Sequence, residues 1–275
     1  MKIWADIEQG SAAWHAVRLG IPTASRMSEV ITPAKGELAA GRKKYAYQLI
    51  AERVLQESMA TDIGSLQWII EGKEREAEAA AMYAEIAGVE LLTVGFISDD
   101  DHRWGCSPDR LIVADGKRAA AEIKAPKENT QIGYLLDGPG SDYRVQLQTQ
   151  IWIGDLTWDD FFSYNPRLPP FMQRTNPDEA FIKKIETHVR TFADELDDME
   201  RRVRAMGYFS PAPKIASDDD RRADALIADP AKMAELKHAI DYDRVDVLDL
   251  ALGTLPREQQ ERVKHAIATQ KDVFG

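Results

Sequence analysis

Gly105–Lys124 reads GCSPDRLIVADGKRAAAEIK, and the reading of this stretch decides the fold. Asp109 stands beside a turn, and residues 109–114 and 119–123 are two short apolar runs joined at Asp115-Gly116, a strong hairpin signal. Side chains on a strand alternate, so Glu122 and Lys124 share one face and Ile123 is turned away. A hairpin thus delivers two carboxylates and an ammonium. Two hard oxygen ligands suit Mg²⁺, with Mn²⁺ as a substitute, and such ions keep waters and bind phosphates as well. An ammonium two residues on can orient an attacking water. The chemistry implied is cleavage of a phosphodiester. The competing reading is a surface hairpin with an ordinary Glu/Lys alternation, and in isolation that reading is the commoner.

Working outward, 275 residues suffice for one large domain, or a domain plus a small appendage. No apolar run reaches the roughly 20 residues of a membrane span, and MKIWADIEQG lacks the apolar core of a signal peptide. A single cysteine, Cys106, excludes an internal disulfide framework and a Cys-rich zinc site. A reducing, cytoplasmic setting is expected. The net charge of -11 argues against diffuse attraction to a polyanion, so any grip on nucleic acid must come from local positive charge and shape. Arg42-Lys43-Lys44 is one small basic cluster, readable as a solvated helix start or as a contact to nucleic acid.

Residues 11–20 read as a short helix capped by Ser11 and ended by Gly20. A second begins at Pro22-Thr23-Ala24-Ser25 and runs to about Ile31. Its N-terminus, with Thr23 or Ser25, is an anion site in waiting, and Arg18 can close over the same anion; plain capping plus a surface arginine is the alternative. Residues 33–41 look like a mobile loop, and helices follow over about 42–58 and 65–87. In the latter Gly72, Glu76, Ala79 and Tyr83 share a face that is small or apolar apart from Glu76. A carboxylate turned inward there needs a cation or a hydrogen-bond partner; an exposed surface glutamate is the other reading. Residues 91–98 read as one strand and 158–164 as another, with a helix or loop over 127–137 between them. Residues 143–153 alternate as a strand does, although a helix would put Gln146 and Gln150 on one face. Asn176 caps the strongest helix signal, whose apolar positions from Ile182 to Val203 suit a coiled-coil seam or, better, a long helix packed on the sheet. Composition shifts at Pro211-Ala-Pro213, and short helices are expected over 218–228, 230–240, 244–252 and 256–271.

Five ordered motifs give the hairpin a context. They are Ser11-x-x-Trp14-x-x-x-Arg18-x-Gly20-x-x-Thr23-Ala24-Ser25, Gly72-x-x-x-Glu76-x-x-Ala79-x-x-x-Tyr83, Ser107-Pro108-Asp109, Glu122-Ile123-Lys124 and Tyr143-x-x-Gln146-x-Gln148. In this order the sequence, over roughly residues 8 to 205, resembles the phage-lambda-type exonucleases, the viral recombinase branch of the PD-(D/E)xK nucleases. The resemblance implies an α/β fold with a central mixed sheet flanked by helices over residues 1–210; residues 211–275 exceed the family core and are read from composition as a helical appendage. It places the glutamine motif on a helix, against the strand periodicity. It implies that Asp109, Glu122 and the Ile123 carbonyl ligate metal, that Lys124 positions the water, that Glu76 completes the acidic site and that Gln146 orients water or phosphate. Arg18 and Ser25, with Thr23 and Ser107, would hold the 5′-phosphate of a DNA end.

The activity so implied is a Mg²⁺-dependent 5′-to-3′ double-strand DNA exonuclease that leaves 3′ single strands for phage-type recombination. A single-strand annealing protein is the implied partner, and a ring-shaped trimer around DNA the implied assembly. An endonuclease of the same core and a non-catalytic DNA-end-binding module are the alternatives.

Overall fold

A near-unbroken apolar run makes a strand that is buried on both faces, and Ala119–Ile123, interrupted only by Glu122, becomes the middle strand of the molecule. The computed structural model describes residues 1–59, 66–114 and 116–207. Beyond these it describes 223, 225–227, 229, 231–234, 236, 252, 255 and 257–269. The chain divides into two compact units, Met1–Phe209 and Ser210–Gly275.

The first unit begins with β1 (Lys2–Trp4), α1 (Ala12–Arg18), a 3₁₀ helix (Ala24–Glu29), α2 (Arg42–Leu55) and α3 (Leu66–Ala87). Then come β2 (Leu91–Leu92), β3 (Phe96–Ser98), β4 (Gly105–Cys106), β5 (Arg110–Ala114) and β6 (Lys117–Lys124). They are followed by α4 (Glu128–Asp137), α5 (Ser141–Gly154), β7 (Asp159–Asn165), β8 (Leu168–Thr175) and α6 (Glu179–Met206). The main sheet has the order β2-β5-β6-β7-β8, with β6 and β7 parallel and the other pairs antiparallel. A small sheet, β1-β3-β4, stands apart. The hairpin pairs Arg110 with Ala121 and Ala114 with Lys117, which leaves a two-residue connection in which Gly116 has φ +71°, a conformation that suits glycine.

The alanines of β6 let helices approach both faces of the sheet. Ala119, Ala121 and Ile123 pack with Ala79, Ala80 and Tyr83 of α3, whereas Ala120 belongs to the cluster that contains Val145 and Ile151 of α5. Glu122 and Lys124 share the face of Ala120 and are turned toward α5.

Several elements differ from the sequence reading, each for a physical reason. Residues 143–153 are helical, because α5 is enclosed nearly all round. Gln148, Thr149 and Gln150 are as buried as Val145 and Leu147, so the polar–apolar alternation does not mark an inside and an outside. The single strand expected over 91–98 is two, β2 and β3, which belong to different sheets. Between them, a Cβ on Gly95 would lie 2.1 Å from the Ile7 carbonyl oxygen, so only glycine lets the N-terminal segment cross there. The helix after Pro22 is a six-residue 3₁₀ turn, and Thr23 caps it without a side-chain hydrogen bond. β8 carries Pro169 and Pro170, which a sheet accepts at its edge. Asp178, not Asn176, caps α6 and accepts from the Phe181 N–H at 3.0 Å. The apolar face of α6 (Phe181, Ile185, Val189, Phe192, Leu196) lies against α2 and α5, with Phe192 stacked on Tyr45, rather than lying flat on the sheet. The loop over 33–41 is pinned by the Ile31–Leu38 bridge and by the Thr32 N–H donating to the Glu37 carbonyl at 2.7 Å.

In the second unit Ala223, Met233, Leu236, Leu252, Leu255 and Val263 form an apolar cluster of their own, and the last expected helix is found at Arg257–Thr269. The helix expected over 244–252 falls almost wholly outside the described residues. No described helix is long and apolar enough to cross a membrane.

Candidate active site

β5, β6 and α5 bring together the residues of the hairpin. The Asp109 carboxylate accepts from the Ile123 N–H at 2.8 Å, which fixes the turn residue onto the neighbouring strand. The Lys124 ammonium lies 3.7 Å from the same Asp109 oxygen and donates to Glu122. The other Glu122 oxygen accepts from the Gln150 side-chain amide at 2.9 Å. Glu122 is almost fully buried, whereas the side chains of Lys124 (29% exposed) and Asp109 (17%) reach solvent.

The electrostatics follow from crowding. Burial, then the Glu122 charge, pushes the Asp109 carboxyl up to about 7; Lys124 and the Ile123 N–H oppose this, and Glu76 adds to it. Burial works against the Lys124 charge, but Glu122 and Asp109 outweigh it and hold the ammonium above its ordinary range. Behind the trio, Asp159 is fully buried, and neither of its oxygens has a hydrogen-bond partner among the described residues. Burial, with Glu122 and Asp109 nearby, raises its pKa well above that of an ordinary carboxylate.

Among the described residues no three His, Cys, Asp or Glu side chains converge as a ready-made metal cage. Asp109 and Glu122 nevertheless make a hard-oxygen pair in a pocket where carboxylates outnumber the one ammonium between them. That donor set fits Mg²⁺ or Mn²⁺, which take one or two carboxylates and complete their shell with water, backbone oxygen and phosphate.

Glu76 lies at the rim, 39% exposed, and its cation is Arg110, whose guanidinium donates to it at 3.2 Å and also to the Asp109 carbonyl. Ala79 and Tyr83 on the same helix face are buried as expected. The Gly72 side of that motif lies outside the residues whose side chains are described. Gln146 is half-buried on α5 and its side chain makes no hydrogen bond among the described residues; the amide at Glu122 belongs to Gln150, one turn later.

A second cluster collects the N-terminal motif. The Thr23–Gly105 bridge sets the 3₁₀ turn beside β4, two residues before Ser107. The Ser107 hydroxyl accepts from Arg18 at 2.9 Å and from the Trp14 indole at 3.0 Å, and it donates to the Gly95 carbonyl at 2.8 Å. Thr23 and Ser25 hydroxyls are 3.4 Å apart. The Thr23 N–H, however, is taken by the Tyr45 hydroxyl at 3.2 Å, so the bare helix terminus expected there is partly occupied. Arg18 lies 3.9 Å over the Trp14 ring. Burial lowers its pKa to about 10, which leaves it charged at neutral pH. Among the described residues no carboxylate pairs with it. A largely desolvated guanidinium held by a hydroxyl and a ring lacks an anion. The cleft around it, of about 290 Å³, is lined by Trp14, Thr23, Arg26, Tyr45 and Glu52, the last accepting from the Gly20 N–H at 3.1 Å.

Sequence reasoning missed Arg110, Gln150 and Asp159. A signal existed for one of them: on a helix, Gln150 shares the face of Gln146.

Comparison with known proteins agrees with this architecture. An alkaline exonuclease from Laribacter hongkongensis, LHK-Exo, is 34% identical over 71% of this chain and 97% of its own, with a TM-score of 0.62. The same protein in complex with dAMP gives the same values. A phage-related exonuclease from Haemophilus somnus 129PT shares the fold alone, at 13% identity, 68% and 96% coverage and a TM-score of 0.51. No curated protein matches the sequence. Residues 13–157, more than half of the chain, match the YqaJ-like viral recombinase domain. With its mixed sheet and acidic hairpin of the PD-(D/E)xK type, the chain belongs to the YqaJ-like viral recombinase family.

Proposed function

We propose that this chain is a divalent-metal-dependent DNA exonuclease that degrades duplex DNA from 5′ ends and leaves 3′ single strands for recombination. The observation that carries the chemistry is the trio on the hairpin, with the Lys124 ammonium bonded to Glu122 and 3.7 Å from Asp109. Asp109, Glu122 and the Ile123 carbonyl are the proposed ligands of Mg²⁺, with Mn²⁺ as a substitute. The ion supplies Lewis acidity toward the phosphate and acidifies water. Lys124 donates to and orients the attacking water, and its neighbours keep it protonated for that task. Glu76 is the proposed completion of the acidic site, and Gln146 is proposed to orient water or phosphate. The polarity rests on Arg18, which bonds Ser107, shares its cleft with Thr23 and has no carboxylate partner among the described residues, an arrangement that suits a terminal 5′-phosphate, with Ser25 as a further proposed contact. The 34% identical LHK-Exo, described as an alkaline exonuclease, supports the same reading. A homotrimer around DNA would hold an acidic protein on a polyanion, and an annealing protein is the proposed partner for the strands released, in the cytoplasm of a bacterial host.

The test is timed digestion of linear DNA with 5′-phosphate or 5′-hydroxyl ends, in Mg²⁺ or EDTA. Faster loss of the phosphorylated DNA in Mg²⁺ only is expected, and Arg18→Ala should erase the preference. Equal cutting of closed circular and linear DNA would overturn the exonuclease reading. Lys124→Ala should lose several orders of magnitude in rate and keep DNA binding.

A further inference from the structure

Two hollows flank the catalytic hairpin, and their charges are opposite in sense. One, of about 440 Å³, is lined by Asp6, Glu8, Glu76, Asp109 and Arg110, four carboxylates against one guanidinium. The other, of about 360 Å³, is lined by Arg75, Lys127 and Arg167 with Glu78, Glu128 and Tyr164. Three cations face two carboxylates there, in a chain whose net charge is -11. Arg167 is itself paired with Glu128 at 3.0 Å, and Glu78 accepts from the Tyr164 hydroxyl at 3.0 Å, so the hollow carries a surplus of one positive charge.

The basic hollow lies next to the site along the chain, at the end of β6 and on the α3 side of the sheet. Arg75 is the residue before Glu76 on α3, and Lys127 follows Lys124 by three residues along the exit of β6. The opposite wall is the β7–β8 turn. The Asn165 amide, nearly buried, donates to the Pro126 carbonyl at 3.0 Å, and its oxygen accepts from the Arg167 N–H at 3.0 Å. This clamp ties the chain leaving Lys124 to the turn that carries Arg167.

We propose that this hollow binds the phosphodiester backbone of the strand being cut, next to the scissile bond. The proposal rests on the nuclease reading above and adds where the strand runs. A polyanion approaching Lys124 is repelled on the side of Asp6, Glu8 and Glu76 and attracted on the side of Arg75, Lys127 and Arg167. Three residues of extended chain span at most about 10 Å, which keeps the Lys127 backbone close to Lys124. The contacts are to phosphate, so they give grip and register without base preference.

The test reads binding rather than cleavage: fluorescence anisotropy of a labelled, 5′-phosphorylated duplex in EDTA over a salt series. The double variant Arg75→Ala/Arg167→Ala should raise Kd and flatten the log Kd against log salt slope by about 1 to 2, in keeping with the loss of two phosphate contacts. Glu128→Gln, which removes a competing carboxylate, should lower Kd, so a folding defect in the double variant does not hide the answer. Unchanged Kd and slope, a raised Kd with an unchanged slope, or no binding by the wild-type protein at low salt would each overturn the proposal. Digestion of linear DNA in Mg²⁺ is scored separately. A wild-type protein that binds but does not digest counts against the nuclease reading and leaves the binding comparison standing.

Discussion

Replacing Gln150 with methionine separates support of the site from support of the fold. The Gln150 amide is buried (1% exposed) and donates to the Glu122 oxygen that Lys124 does not hold, at 2.9 Å. Losing a hydrogen bond to a charged group costs about 1.5–3 kcal/mol. The amide oxygen of the same side chain is buried without a partner among the described residues, and such an orphan costs about 1–3 kcal/mol. Methionine fills a similar volume and removes both effects together. The two nearly cancel, so stability should change by less than about 1.5 kcal/mol, or about 5 °C in Tm for a unit of this size. Activity has no such cancellation. Glu122 keeps Lys124 but loses the partner that sets the angle of its second oxygen. Loss of a hydrogen bond that orients a ligating carboxylate lowers metal affinity or activity by about 10- to 100-fold. The assay is release of acid-soluble nucleotide from linear duplex DNA as a function of Mg²⁺, alongside thermal unfolding. An unchanged rate and Mg²⁺ requirement would refute the reasoning. So would a Tm loss beyond about 10 °C with activity following the folded fraction, since Gln150 would then be a packing residue only.

Two further predictions concern the frame around the site. Asp160 is buried on β7 and accepts from the Tyr83 hydroxyl at 2.8 Å and from both ends of the Arg174 fork at 2.8 and 2.9 Å, which ties α3 to β7 and β8. Arg174→Ala strands that carboxylate and should cost roughly 3 kcal/mol, the low end for a broken buried pair because Arg174 is half exposed, and urea unfolding measures it; a loss under about 1 kcal/mol would mean that Tyr83 alone suffices. Asp178 caps α6, and the Phe181 N–H, then Arg144, hold its carboxyl below the ordinary range. Its folded pKa is depressed, so its contribution is present above the unfolded value of about 3.9 and fades as pH falls through the folded one. Asp178→Ala should therefore cost about 1 kcal/mol at neutral pH, and the gap to wild type should close on acidification below about pH 4; a gap that persists there would count against the cap.

What was legible follows from how locally each feature is encoded. Asp109, Glu122 and Lys124 could be read because two strands and a two-residue turn fix their spacing within sixteen residues of chain. The long amphipathic α6 could be read because one of its faces is wet and the other dry. α5 misled for the opposite reason, since it is enclosed by the sheet, the 3₁₀ turn and α6, and two of its glutamines, Gln148 and Gln150, are as buried as its leucine. β8 was invisible because Pro169 and Pro170 argue against a strand until its edge position is known.

The supporting residues of the site were the hardest to see, and the physical reason is the same for all of them. Arg110 adjoins Asp109, yet its side chain leaves β5 for Glu76 on α3, thirty-four positions back, and nothing local announces that pairing. Gln150 reaches Glu122 across twenty-eight positions, and only a helical α5 turns it that way. Ser107 could be suspected of joining the proposed metal site to an end pocket, but that its hydroxyl is held by Arg18 crossing from α1 and by the Trp14 indole could not be read. The residues proposed to do the chemistry share one hairpin, whereas the side chains that hold them or their neighbours come from α1, α3 and α5. A hairpin carrying Asp, Glu and Lys is therefore weak testimony alone. It becomes a site once independent helices are shown to spend buried polar groups on holding it, because an amide such as Gln150, with one end satisfied and the other orphaned, is a poor choice for packing and a sound one for orienting a carboxylate.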